Sequence, residues 1–179
     1  MVLEDVVSRL DGAGIPYMVS GSMALNYYGP PRMTRDIDLV VELAPGHVSR
    51  FIGAFAEGYY LDPDVVRRAA SEQGMFNLIR LDRVVKVDFI VRKNTEYRRL
   101  EFSRRRPVRF GDLDISVVSA EDLILSKLEW ARDSRSELQL GDVRGLLAAG
   151  PGLDRAYLDD WAARLGLGDL LRELEAGKE

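Results

Sequence analysis

The chain has 179 residues, 46% of them hydrophobic and 30% charged, with a formal net charge of −4 at pH 7, which suits one globular domain or a domain with a helical extension. It has no cysteine and one histidine, His47, which excludes disulfides, thiolate metal centres and multi-histidine zinc sites and leaves carboxylate oxygen to hold a hard cation such as Mg²⁺ or Mn²⁺. No apolar run approaches the roughly 18 residues of a membrane span, and the amphipathic start MVLEDVVSRLDGAG lacks the apolar core of a secretory signal, so a cytoplasmic setting is expected.

Val2, Leu3, Val6, Val7 and Leu10 fall on one helical face, and Gly12 and Gly14 end that helix. Pro16 opens a short apolar run, YMVS, read as a strand. Gly21-Ser22 starts a helix over 22–28, which Gly29-Pro30-Pro31 stops. Residues 36–42 alternate strongly and predict a strand. Pro45 suits the first turn of a helix reaching Glu57, and a short helix follows at 63–71. MFNLIR (75–80) and RVVKVDFIV (83–91) predict a hairpin with its turn at Leu81-Asp82. A short helix at 95–102 and strands at 107–110 and 113–118 follow. At Ser119 the pattern becomes helical. Ser119-Ala-Glu-Asp122 has the spacing of a capping box, with aspartate where glutamate is preferred. Helices are predicted at 120–132, 136–148, 154–165 and 167–175, with Gly150-Pro151-Gly152 and Gly166 between them. The expected architecture is α/β (α+β) over residues 1–118, followed by a helical region over 119–179 packed on it.

Residues two apart in a strand share a face. Asp36, Asp38 and Val40 therefore face one way, and Ile37, Leu39 and Val41 face a core. In the strand at 83–91, Val85, Val87, Phe89 and Val91 form the core face, so Lys86 and Asp88 stand opposite. If the two strands are neighbours, Asp88 joins Asp36 and Asp38. A charge in a buried strand is costly unless it is paired or binds metal. Three close carboxylates repel each other, and divalent cations remove that repulsion. Two hard cations bridged by aspartates serve in-line phosphoryl or nucleotidyl transfer, one activating the attacking hydroxyl and the other steadying the leaving pyrophosphate. The plainer reading is a set of solvated aspartates on an open sheet face. It would win for one aspartate and ranks second for three in this order. Gly21-Ser22 adds a helix start, whose backbone N–H groups and partial positive charge suit phosphate. Gly21 permits close backbone approach, and Ser22 adds a hydroxyl. Alone such a pair is an N-cap; one loop from two carboxylates it reads as a phosphate cradle.

Gly-Ser, thirteen intervening residues, Asp-x-Asp and a third aspartate on a later strand resemble the polymerase-beta-like nucleotidyltransferase superfamily. The longer text GSMALNYYGPPRMTRDIDLVV, with SAEDLILSKLEWARDSRSELQLGDVRGLL, resembles its small bacterial AbiEii-like branch of abortive-infection toxin–antitoxin systems, over roughly residues 15–148. The resemblance implies a nucleotidyltransferase catalytic domain at 1–118 with a mixed, twisted sheet flanked by helices. It implies a Mg²⁺- or Mn²⁺-dependent enzyme that moves an NMP from an NTP to a hydroxyl acceptor, releasing pyrophosphate. Gly21 and Ser22 would then bind the triphosphate, Asp36 and Asp38 both metals, and Asp88 the catalytic metal and the acceptor's proton. Asp82, Asp112 and Asp114 are the alternatives for the third carboxylate.

Lys127 projects from the apolar face of its helix, where the resemblance favours contact with a β- or γ-phosphate over a lysine reaching the rim of the core. Arg32, Thr34 and Arg35 precede the aspartates, for phosphate contact or a structural ion pair. Tyr27 and Tyr28 read as core more readily than as base-stacking residues, and Trp130 and Trp161 as packing residues. His47 reads as a surface residue, and Asp142 carries no assigned role. Residues 92–109 hold eight basic and two acidic residues, a local +6 that leaves −10 for the rest. This is either a site for RNA or another polyanion, or a solvated arginine-rich connection. The acceptor classes are an RNA 3′ end, a protein side chain or a small molecule. The competing reading of the chain is a non-catalytic module that binds a cognate toxin or antitoxin.

Overall fold

The computed structural model describes residues 1–29, 33–34, 36–149 and 152–177. It divides into two compact units, Met1–Met23 with Met33–Val118, and Ala24–Arg32 with Ser119–Glu179.

The first unit is a mixed α/β structure. Its sheet has seven strands, β1 (Tyr17–Val19), β2 (Asp36–Val41), β3 (Tyr59–Tyr60), β4 (Met75–Arg80), β5 (Val85–Val91), β6 (Arg106–Phe110) and β7 (Leu113–Val117). Their order is β3-β4-β5-β2-β1-β7-β6. The β2/β5 and β1/β7 pairs are parallel. The other neighbours are antiparallel. Helices α1 (Val2–Gly12), α3 (Val48–Phe55), α4 (Pro63–Glu72) and α5 (Glu96–Ser103) accompany the sheet, and α2 (Gly21–Tyr28) begins in this unit.

The alternation seen in the sequence is the alternation of burial over most of both strands, except that Val40, on the aspartate face, is also buried and Val85 is only part-buried. Ile37, Leu39 and Val41 of β2 and Val87, Phe89 and Val91 of β5 are buried. Phe51 and Phe55 of α3 join Phe76 and Phe89 there, with ring centroids 5.1 Å apart for Phe51–Phe89 and 5.2 Å for Phe76–Phe89. Each such ring contributes roughly 2–3 kcal/mol by leaving water. β4 buries Phe76 and Leu78 and exposes Met75, Asn77 and Ile79, so the opposite face is open at this edge. Helix α1 is tied to the hairpin through Asp5, which accepts from Arg9 Nε (3.0 Å), Tyr59 Oη (2.7 Å) and Arg80 Nη1 (2.6 Å). Burial alone would raise the Asp5 carboxyl, but the Tyr59 hydrogen bond and the two guanidinium groups hold it below its ordinary value.

The second unit contains the Ala24–Tyr28 part of α2 and helices α6 (Ala120–Ser134), α7 (Glu137–Ala149), α8 (Arg155–Arg164) and α9 (Gly168–Ala176). Ser119 caps the N-terminus of α6, with Asp122 as its side-chain partner. Asp122 N donates to Ser119 Oγ (3.2 Å), and Ser119 Oγ donates to Asp122 Oδ2 (2.7 Å). Tyr157 Oη donates to Asp122 Oδ1 (2.6 Å), so this buried carboxylate is well satisfied.

Several details differ from the sequence reading. The β4–β5 turn takes the four residues Leu81–Val84, closing at an Arg80↔Val85 pair, with Val84 at φ +50. The helix expected from Pro45 to Glu57 is a 3₁₀ turn, Pro45–His47, leading into α3, which ends at Phe55. The two-residue strand β3 is too short to show a period. His47 is part-buried, with a buried Nδ1 that has no hydrogen-bond partner among the described residues. Trp161 is packed at 6% exposure, but Trp130 is 60% exposed. Tyr27 also stands outside the core at 41% exposure.

Candidate active site

Strand β2 enters the sheet at Asp36, with Thr34 Oγ1 donating to Asp36 O (3.0 Å). Its alternation places Asp36 and Asp38 on the face opposite Ile37 and Leu39. Asp36 is exposed and Asp38 part-buried. The parallel register with β5 pairs Asp36 with Lys86 and Asp38 with Asp88. On the far side of β5, Asn77 of β4 is paired with Asp88. Adjacent strands lie about 4.8 Å apart, so Asp38, Asp88 and Asn77 form a row across three strands. Of the four aspartates weighed for the third carboxylate, Asp88 is the one that this register sets beside Asp38. Asp82 accepts from Arg80 Nε (2.7 Å) in the β4–β5 turn. Asp114 pairs with Arg109 (3.0 Å) and Asp112 with the same guanidinium (3.8 Å) in the β6–β7 hairpin.

Gly21 belongs to the same site. Ser20 N donates to Asp38 O (2.9 Å), which sets the end of β1 and the start of α2 against the aspartate. Gly21 adopts φ +56, and a Cβ added there would stand 2.0 Å from Asp38 Oδ2 and 2.8 Å from Asp38 Cβ. Only a residue without a side chain fits against this carboxylate in this conformation. Ser22 follows in the first turn of α2. Arg32 and Arg35 lie outside the described residues.

Lys86 is the site residue that sequence reading placed on the correct face without giving it a part. Its Nζ donates to Asp88 Oδ2 at 2.7 Å. The Lys86 side chain is 45% exposed and that of Asp88 16%. The Asp88 hydrogen bond, and then the charges of Asp88, Asp36 and Asp38, raise the Lys86 ammonium above its ordinary pKa. The signal available in the sequence was the i, i+2 spacing of Lys86 and Asp88 on one strand face.

Among the described residues, no three His, Cys, Asp or Glu side chains converge as a metal-holding group. The donor chemistry nevertheless fits a hard divalent cation: three carboxylates on one face of two neighbouring strands, and an ammonium already bound to one of them as a cation would be.

In the second unit, Lys127 is buried at 4% exposure. Its Nζ donates to Asp142 Oδ2 (2.7 Å) and Gln139 Oε1 (3.1 Å). This gives Asp142 a structural partner that sequence reading did not find. Much of the basic segment is also engaged. Arg92 pairs with Glu42 (2.7 Å), Arg98 with Glu101 (2.8 Å) and Arg109 with Asp114 (3.0 Å). Arg99 Nη1 donates to Asn94 O (2.8 Å), and Arg105 Nη1 to Phe102 O (2.7 Å) while its guanidinium lies 4.4 Å from the Phe102 ring centroid.

Residues 8–144 match the family described as nucleotidyl transferase AbiEii toxin, type IV toxin–antitoxin system. No curated protein matches the chain in sequence. Solved structures share its fold. The antibiotic-resistance factor ANT(2″)-Ia superposes with a TM-score of 0.58 at 13% identity, covering 98% of this chain and 91% of that one. The lincosamide antibiotic adenylyltransferase LnuA, in a lincomycin-bound structure, gives 0.56 at 12% identity, covering 81% and 94%. An antigenic nucleotidyltransferase-like protein from Paracoccidioides brasiliensis gives 0.55 at 18% identity, covering 98% and 91%.

Proposed function

Because the chain belongs to the AbiEii nucleotidyl transferase toxin family, we propose that it transfers an NMP from an NTP to a hydroxyl acceptor at Asp36, Asp38 and Asp88, with Mg²⁺ or Mn²⁺ and with release of pyrophosphate. The observation that carries this reading is the contact of Gly21 with Asp38, beside an Asp38↔Asp88 register pair. It brings a phosphate-binding helix start and a carboxylate row together. No lone aspartate pair would call for that.

Asp36 and Asp38 would hold the cations, with Asp88 as the third ligand. When bound, such cations lower the pKa of a hydroxyl and neutralise charge on a leaving pyrophosphate. The backbone at Gly21 and the Ser22 hydroxyl bind the triphosphate and fix its orientation. Asp88 accepts the proton of the attacking hydroxyl, and the bond from the α-phosphorus to the bridging oxygen breaks opposite the attack. The family's type IV toxin description implies an antitoxin as partner. The antibiotic-modifying neighbours keep a small-molecule hydroxyl among the acceptor classes, beside an RNA 3′ end and a protein side chain.

The test is transfer of label from α-labelled NTPs to total RNA, total protein and small-molecule acceptors, with Mg²⁺ or Mn²⁺. Label is expected with the wild type and not with Asp36→Ala/Asp38→Ala. An enzyme that binds no NTP at millimolar metal would sink the proposal.

A further inference from the structure

Register and alternation together build a square on the open face of the sheet. β2 supplies Asp36 and Asp38, and β5 supplies Lys86 and Asp88, paired across as Asp36↔Lys86 and Asp38↔Asp88. The sides of this square are about 5 Å across strands and about 7 Å along them. Three corners are carboxylates and the fourth is an ammonium. Lys86 does not point away from the cluster into solvent, as an exposed strand lysine is free to do. It turns back along its own strand and binds Asp88 Oδ2 at 2.7 Å.

We propose that Lys86 is the built-in counter-cation of this cluster, and that a divalent cation is held by Asp88 only after displacing the Lys86 ammonium. The proposal rests on the nucleotidyltransferase reading of the same carboxylates. Three carboxylates and one ammonium leave the square a net −2, against −3 for the carboxylates alone. The lysine therefore lowers the repulsion that three bare carboxylates would impose on the empty fold, and it competes with metal for one ligand. At 45% exposure, its side chain has room to swing out. An ammonium released from Asp88 beside Gly21 and Ser22 has an incoming triphosphate as its next partner. Lys86 thus weakens metal binding before nucleotide arrives and ceases to oppose it afterwards.

The test is Mn²⁺ binding in the absence of nucleotide, followed by electron paramagnetic resonance of free Mn²⁺ and by the metal-dependent rise in melting temperature. Lys86→Met, which keeps the length of the stem, should bind Mn²⁺ about 2- to 5-fold more tightly than wild type, the range of a partly exposed ion pair. Its metal-free form should melt lower, with a larger Mn²⁺-induced rise. Lys86→Arg, which keeps the charge, should stay near wild type. Unchanged or weaker Mn²⁺ binding by a folded Lys86→Met protein would overturn the proposal and leave the nucleotidyltransferase reading standing. No Mn²⁺ binding by either protein, with or without NTP, would overturn both.

Discussion

At the scale of single residues, Gly21 ties the start of α2 to the carboxylates. Two separate requirements meet there, a left-handed φ of +56 and the absence of a Cβ beside Asp38. Gly21→Ala therefore costs about 1 kcal/mol through the backbone and also pushes the Asp38 carboxylate from its place. The expected outcome is a melting temperature lower by about 2–4 °C and a kcat lower by about 100-fold, because displacement of a reacting group by an ångström is that expensive. Thermal unfolding and steady-state kinetics on the same preparation check both. Normal kcat with lowered stability would remove Asp38 from the reacting centre. Spacing alone put Asp36 and Asp38 on one face, because a strand's period is fixed. It did not disclose that Gly21 abuts Asp38 or that Lys86 binds Asp88. The first contact depends on strand pairing and loop path, which no local pattern encodes; the second is one of several rotamers open to an i, i+2 pair on one strand face.

At the scale of elements, periodic segments were legible nearly to their ends, and aperiodic ones were not. The strand MFNLIR coincides with β4, and the four C-terminal helices were all foreseen within about two residues, since amphipathic stripes and capping residues mark them. The two residues of β3 carry no period, and Val84, two residues beyond the turn signal at Asp82, adopts positive φ where the hairpin closes. Helix α6 shows the limit of reading a helix by itself. Its Lys127 looked anomalous on an apolar face, and the cause lies on α7, where Asp142 and Gln139 receive the ammonium. The side chains of Lys127 and Asp142 are 5% and 6% exposed, so removing one partner leaves a buried charge. Lys127→Met is expected to lower stability by about 3–5 kcal/mol, and Lys127→Met/Asp142→Leu to recover most of it, as denaturant midpoints would show. The phosphate contact proposed for Lys127 has its own readout in the double variant, a raised apparent KM for NTP. An unchanged KM would assign this lysine to helix pairing alone.

At the scale of the whole molecule, the question is what a net charge of −4 with a +6 segment at 92–109 does. Formal charge overstates what that segment offers to a partner. Arg92, Arg98 and Arg109 are matched by carboxylates, and Arg99 and Arg105 donate to backbone carbonyls. An acidic chain whose basic segment is largely engaged internally among the described residues is poorly built for indiscriminate binding to nucleic acid. It is suited to steering the end of a polyanion over a short footprint. If the acceptor is RNA, the logarithm of its affinity should fall with the logarithm of salt at a slope of about −2, as two or three phosphate contacts to a single strand require. Arg105 must be left in place in the test, because its guanidinium lies 4.4 Å from the Phe102 ring centroid and its loss would disturb packing. Arg104→Glu/Arg106→Glu should then weaken acceptor use several-fold and flatten the salt slope, with NTP binding unchanged. Acceptor kinetics insensitive to both substitutions and salt would identify the segment as a solvated, internally paired surface and move the search for the acceptor to the face that carries Asp36, Asp38 and Asp88.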